Sequence, residues 1–239
     1  MRSIIVIPTY NEKESIEKLI NKILILNIIS EILIIDDNSP DRTGEIIDEL
    51  SRRYKQIKVI HRERKLGIGS AYIMGFKHAI NQGFDYVLTS DADFSHSPAY
   101  LPLFIKNMDN YDLIMGSRYV EGGKIINWGR YRMVLSKIAN IFIKKMLNLK
   151  INDSTSGFRC YKVKALDSLG IDRIFSNGYA FLIEMTYYAS RSGLKIKELP
   201  IKFVGRKEGS SKISRSEIIR ALLTVFKLYL TDVQNSLTN

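Results

Sequence analysis

The sequence predicts an α/β fold with a mostly parallel central sheet flanked by helices, and three observations carry that reading. Short continuous apolar runs alternate with longer segments whose apolar residues recur at helical spacing. Several of those runs end in polar or acidic clusters, as the ligand-facing strand ends of a parallel sheet do. The chain has 239 residues, 45% of them apolar, enough to bury a substantial core as a single domain.

Residues 3–8 (Ser-Ile-Ile-Val-Ile-Pro) form an apolar run stopped by proline, which suits a strand buried on both faces. Residues 14–25 place Ile16, Leu19, Ile20 and Ile23 at helical spacing. Residues 32–35 repeat the strand pattern and end in Asp36-Asp37-Asn38-Ser39-Pro40. A helix fits 43–54, a strand 57–61, a helix 70–82 and a strand 86–89, with a further strand at 112–117 leading into Arg118. Consecutive parallel strands joined by helices follow from that order.

The second half is built differently. Residues 133–149 read as a helix with Val134, Leu135, Ile138, Ile141, Phe142 and Met146 on one side and Lys137, Lys144 and Lys145 among the rest. Such a stripe suits either a surface helix packed on the core or an amphipathic helix at a membrane interface. Residues 195–203 read as a strand, 205–212 as a basic glycine- and serine-rich loop, and 216–230 as a terminal helix.

A net charge of +11, from 36 Lys and Arg against 25 Asp and Glu, implies attraction to something anionic or a solubilising surface. No N-terminal signal peptide is visible, and the single cysteine, Cys160, has no partner for an internal disulfide. A reducing, cytoplasmic location is expected. No stretch approaches the roughly 20 apolar residues of a membrane-spanning helix.

Asp91-Ala92-Asp93 directly follows the predicted strand 86–89. Two carboxylates one residue apart at a strand end make an oxygen site that Mg²⁺ or Mn²⁺ can share with substrate phosphates. The bare pattern also occurs in turns and helix caps. Its company points to a site, because Pro8-Thr9-Tyr10-Asn11-Glu12 and Asp36-Asp37 occupy the matching ends of the first two strands. Clustered carboxylates would repel a nucleoside diphosphate without positive charge opposite, and Arg118, Arg130, Arg132, Arg159, Arg206, Lys207 and Lys212 are candidates to supply it. Gly67-Ile68-Gly69 fails as a dinucleotide loop, since the third glycine falls at Tyr72, and reads as a turn with close helix packing. His61, His78 and His96 lack metal-ligand spacing and are read as surface or packing residues.

Assembled, these residues resemble glycosyltransferase family 2, and within it the dolichol-phosphate mannose synthases. The likeness runs through residues 7–12, 36–43, Asp91-Ala92-Asp93, 116–119, 153–159, 178–184 and Arg206 with Ser211-Lys212. It implies a GT-A type nucleotide-diphospho-sugar transferase fold in one domain over 1–239. A nucleotide-sugar-binding half would span 1–118, and an acceptor-binding, membrane-facing half 119–239. By position, Pro8, Tyr10, Glu12, Ile35 and Asp37 would hold the nucleoside, and Asp91, Ala92 and Asp93 the ribose, diphosphate and metal. Arg118, Arg132, Arg206 and Lys212 would contact the donor's phosphates or the acceptor phosphate, with Ser154, Ser156 and Arg159 on the acceptor side. Ser95 stands where some relatives carry a glutamine metal ligand.

The resemblance further implies GDP-mannose as donor, dolichyl or another polyprenyl phosphate as acceptor, and Mg²⁺ or Mn²⁺ as cofactor. A membrane-confined acceptor places the protein peripherally on a cytosolic membrane face, alone or with a small membrane subunit. Two other readings stand beside it. One is a hexosyltransferase using a UDP-sugar. The other is a non-catalytic basic module for nucleic acid, which leaves the acidic clusters unexplained and lacks interleaved stacking aromatics, so no nucleic acid is expected as partner.

Overall fold

The computed structural model describes residues 1–205 and 215–237. The expected alternation opens the chain: β1 (Ser3–Thr9), α1 (Ile16–Leu26), β2 (Glu31–Asp36), α2 (Thr43–Arg53), β3 (Ile57–His61), α3 (Ile68–Asn81) and β4 (Tyr86–Thr89). It continues with α4 (Leu101–Asn107), β5 (Leu113–Ser117), β6 (Lys124–Ile126), α5 (Arg130–Met146), β7 (Arg159–Lys162), α6 (Val163–Ser168) and α7 (Tyr179–Arg191). β8 (Ile196–Pro200), β9 (Lys202–Val204) and α8 (Arg215–Leu237) complete it.

Seven strands form the main sheet in the order β3-β2-β1-β4-β7-β5-β8, parallel except for β7, which runs against both neighbours. Strand alternation sends Ile4, Val6, Leu33 and Ile35 into a core shared with α3, α6 and α7. Ile5, Ile7, Ile32 and Ile34 go into the opposite core with α1, α2 and α4. The unbroken apolar runs of β1 and β2 follow from this burial on both faces. α3 crosses β1 closely because Gly75 has no side chain, and a Cβ there would lie 2.4 Å from Val6 Cγ1.

The sequence-expected strand over 195–203 is in fact two. β8 extends the main sheet beside β5, the chain turns at Ile201, and β9 pairs in parallel with β6 in a separate two-stranded sheet. The small third core joins α5, α7 and α8 through Ile143, Leu147, Ile183, Tyr187, Val225 and Leu228. The apolar stripe of α5 divides: Val134, Leu135, Ile138 and Ile141 are exposed, whereas Phe142 and Met146 pack half-buried against this third core and Asn140 and Ile143 are buried. Among the described residues no helix is long and apolar enough to cross a membrane.

Candidate active site

The strand order reverses direction at β1, whose successors β2 and β3 lie on one side and β4 on the other. The crevice beyond the carboxyl ends of β1 and β4 is the place where such sheets collect ligands. Tyr10 and Glu12 follow β1 there, and Asp91 and Asp93 follow β4. The backbone N–H of Ser90 donates to Val6 O at 3.3 Å, holding the two strand ends together.

The β2 end separates its two aspartates by function. Asp36 is consumed by the turn, accepting from Thr9 Oγ1 at 3.0 Å and from Ser39 N at 3.1 Å. Asp37 faces the β3–α3 loop, accepting from Leu66 N at 3.2 Å and Gly67 N at 2.9 Å while pairing with buried Arg62. Gly67 adopts φ +90°, and a Cβ there would meet Asn177 at 2.9 Å, so the Gly67-Ile68-Gly69 stretch is a tight turn against a neighbour. Lys65 Nζ lies 4.0 Å from the Tyr10 ring centre, leaving a cation at the rim of this end of the crevice. The Ile35 side chain is fully buried in the core, so only its backbone can face a ligand; Pro8 is half-buried.

Asp91 and Asp93 are half-exposed and flank buried Ala92. The backbone N–H of Ser95 donates to Asp93 Oδ1 at 3.0 Å, and Ser95 O accepts from Val204 N at 3.1 Å. Ser95 therefore fixes the turn through its backbone. The next residue bridges Phe203, and this pins the whole loop to β9. His96 is buried, stacks on Phe158 at 5.0 Å and sets Nδ1 3.6 Å from Asp91 Oδ2. Burial pushes its imidazole down to about 4, so the ring is neutral near pH 7. The expectation of a scattered packing histidine missed this proximity, which the three-residue distance from Asp93 could have signalled.

Of the basic residues expected to contact phosphates, two are described: Arg118 follows β5 and Arg132 lies in the first turn of α5. Arg118 is buried against Asp153, with Nε 2.7 Å from Oδ2 and Nη2 2.6 Å from Oδ1. Burial alone would lower the Arg118 pKa, but the adjacent carboxylate raises it. Arg118 and Arg132 both lie near the Trp128 ring, 5.7 and 4.3 Å from its centre, and Trp128 packs edge-on against Phe203. The two arginines thus share an aromatic neighbour, Trp128, which follows β6 and packs on Phe203 of β9. Arg206 and Lys212, with Lys207, lie outside the described residues.

Residues 153–157 form the floor. A Cβ on Gly157 would sit 3.4 Å from Asp91 Oδ1, which places this loop against the acidic turn. Ser154 and Ser156 are buried; Ser154 N donates to Asn140 Oδ1 at 2.9 Å, and Ser156 Oγ accepts from Phe158 N at 3.4 Å. Arg159 departs from the expected acceptor-side role. It is fully buried and donates to Ser156 O, Tyr161 Oη, Ser154 O and Leu182 O, because only carbonyl and hydroxyl oxygens surround it there. It braces the floor from beneath. Asn140, Asp153 and Glu198 are site-building residues that periodicity did not disclose; Glu198 accepts from the backbone N–H groups of Asn152 and Asp153 at 2.8 and 2.9 Å.

The donor set suits a hard divalent cation. Two carboxylates stand one residue apart at the crevice edge, and among the described residues no group of three or more His, Cys, Asp or Glu forms an all-protein cage. Few protein oxygens with the balance left to substrate phosphates is how Mg²⁺-type ions bind.

Comparison with known proteins agrees with this architecture. The chain is 38% identical over 225 residues to an undecaprenyl-phosphate mannosyltransferase of Micrococcus luteus, covering 94% of this chain and 93% of the relative. It is 38% identical over 226 residues to a polyprenol monophosphomannose synthase of Mycolicibacterium smegmatis, covering 94% and 85%. Among solved structures, glucosyl-3-phosphoglycerate synthase from Mycobacterium tuberculosis, with Mn²⁺, UDP-glucose and phosphoglyceric acid, superposes with a TM-score of 0.71 at 20% identity, over 95% of this chain and 79% of that one. A mannosyltransferase of Pyrobaculum calidifontis in complex with GDP-mannose and Mn²⁺ gives 0.61 at 15%, over 98% and 64%. These structural likenesses establish the fold, the GT-A type. Residues 4–170, from the start of β1 through the acidic turn and the floor loop, match the family described as glycosyl transferase family 2, and this chain belongs to that family.

Proposed function

We propose that this glycosyltransferase moves mannose from GDP-mannose to a polyprenyl phosphate at a membrane surface. The observation that carries the reading is the acidic turn Asp91–Asp93 at the carboxyl end of β4, beside the end of β1 that leads into Tyr10 and Glu12, where the strand order reverses. Mannosyl transfer to a polyprenyl phosphate is the activity named for the two relatives that cover 94% of the chain, and a nucleotide-sugar with Mn²⁺ is named for both fold neighbours.

The 1–118 half holds the donor, with Pro8, Tyr10, Glu12, the Ile35 backbone and Asp37 around the nucleoside. Asp91 and Asp93 hold Mg²⁺ or Mn²⁺ beside Ala92 and Ser95. The ion, when bound, supplies charge neutralisation for the departing diphosphate. The 119–239 half receives the acceptor, whose phosphate monoester has a second pKa of about 6 and is already an anionic nucleophile near neutrality. The protein need not provide a general base. Arg118, Arg132, Arg206 and Lys212 shield the two anions from each other and align the acceptor oxygen with the anomeric carbon. Displacement from the face opposite the leaving diphosphate inverts that carbon. The exposed apolar residues of α5 and α8 dock the domain on the bilayer that contains the acceptor.

The test is transfer of labelled sugar to a polyprenyl phosphate in detergent, with GDP-mannose and UDP-glucose in parallel and with or without Mg²⁺ or Mn²⁺. Metal-dependent mannosyl-lipid is the expected product. Transfer from UDP-glucose alone would replace the donor assignment, and metal-independent transfer would remove the ion from the site.

A further inference from the structure

His96 is a buried titratable group beside the acidic turn that the proposed reaction leaves without a task. Its ring is immobilised from three directions: stacked on Phe158 with 14° between planes, met edge-on by Phe203 at 5.3 Å, and tied by backbone bridging to Phe203. Its Nδ1 is buried without a hydrogen-bond partner. The nearest carboxylate oxygen is Asp91 Oδ2 at 3.6 Å, beyond hydrogen-bonding range. An orphaned buried nitrogen carries a desolvation penalty and calls for an explanation.

The two sides of the gap differ in exposure. The Asp91 side chain is 31% exposed, against 3% for His96, so its carboxylate borders open space whereas the ring is enclosed. We propose that His96 is a positioning residue for the divalent cation: its Nδ1–H donates to Asp91 Oδ2 once that carboxylate turns to meet the ion, fixing the direction of the remaining lone pairs. Ligating carboxylates are commonly held by such outer partners. The proposal rests on Asp91 and Asp93 holding the ion.

The experiment is Mn²⁺ binding to the full chain with GDP, followed by the loss of the free-ion electron paramagnetic resonance signal, on wild type, Asp93→Asn, His96→Phe, His96→Asn and His96→Gln. Phenylalanine keeps the stack and removes the donor. Asparagine places an amide N–H near the Nδ1 position, and glutamine reaches instead toward Nε2. Expected are a 10- to 100-fold weaker Mn²⁺ affinity for His96→Phe, on the order seen when such partners are removed, recovery to near wild type in His96→Asn, and no recovery in His96→Gln. If His96→Phe fails to fold, judged by thermal unfolding, the contrast between Asn and Gln decides, since a purely structural role would not separate them by Mn²⁺ affinity. Equal affinity across the His96 variants overturns the proposal, as does ¹⁴N spin-echo modulation from an imidazole bound directly to Mn²⁺ in wild type. Unchanged Mn²⁺ binding in Asp93→Asn would instead overturn the metal site itself.

Discussion

Arg118 and Asp153 close a two-pronged ion pair in the protein interior, and the Arg118 backbone N–H adds a third bond to Asp153 Oδ2 at 3.0 Å. Thr155 Oγ1 accepts from Nη2 at 2.7 Å, so the arginine is locked to the floor loop. The Arg118 guanidinium is therefore positioned by a carboxylate that is itself held through the backbone by Glu198.

Replacing Asp153 by Asn should cost about 3–5 kcal/mol of stability at pH 7, because it strands a buried guanidinium. Urea unfolding of the two proteins measures it. Burial would raise the Asp153 pKa, but Arg118 and the hydrogen bonds bring it below the ordinary carboxylate value. A depressed folded pKa means stability that is complete above the unfolded value, about 3.9, and lost as pH falls through the folded one. The gap between wild type and Asp153→Asn should thus stay constant from neutral pH down to about 5 and narrow below about 4. A gap that widened on acidification would contradict the pairing.

Gly75 should not tolerate alanine. Helix propensity alone would favour Ala by about 1 kcal/mol, yet the new Cβ would lie 2.4 and 2.7 Å from the two Val6 methyl carbons. Overpacking of this kind costs about 1–3 kcal/mol. Gly75→Ala should unfold at a lower temperature than wild type, and the Gly75→Ala penalty should shrink when it is introduced into a Val6→Ala background. An increase in melting temperature would show that α3 can shift off β1 freely.

The first half of the chain was legible because its strands are buried on both faces, so β1 and β2 appear as unbroken apolar runs with polar and acidic clusters at their ends. β7 was not legible: Arg159–Lys162 is four residues long with a basic residue at each end, and its Arg159 turns inward onto carbonyls, which periodicity cannot foresee. α7 is buried nearly all round and so shows no stripe. His96 reaches its place because β9, over a hundred residues later, bridges to it; nothing local records that contact. The α5 stripe suits both core packing and a membrane interface in the sequence, and its direction is set in part by Asn140, which bonds to Thr155 and Ser154.

Cys160 should be inert in the folded protein. It is fully buried in β7, and burial raises its thiol far above the usual range, leaving almost no thiolate. Iodoacetamide at pH 8 should label the denatured chain stoichiometrically and the native chain negligibly, read by mass spectrometry. Rapid native labelling would mean that β7 opens between β4 and β5.

The outward apolar face is the feature that most clearly asks for a bilayer. Leu223 and Leu230 on α8 are 64% and 57% exposed, Ile219 is 56% exposed and Ile138 on α5 is 57% exposed. Lys137, Lys227 and Arg220 are exposed on the same two helices, the combination of apolar insertion and basic attraction that favours anionic lipid. Leu223→Asp with Phe226→Asp should abolish co-flotation with vesicles containing phosphatidylglycerol. Each exposed change should alter folding stability by no more than about 0.5 kcal/mol. Raising salt from 0.05 to 0.5 M should weaken wild-type binding without eliminating it, because screening removes the attraction between charges and leaves apolar burial intact. Flotation of the double variant at wild-type levels would show that these helices are not the lipid-facing surface.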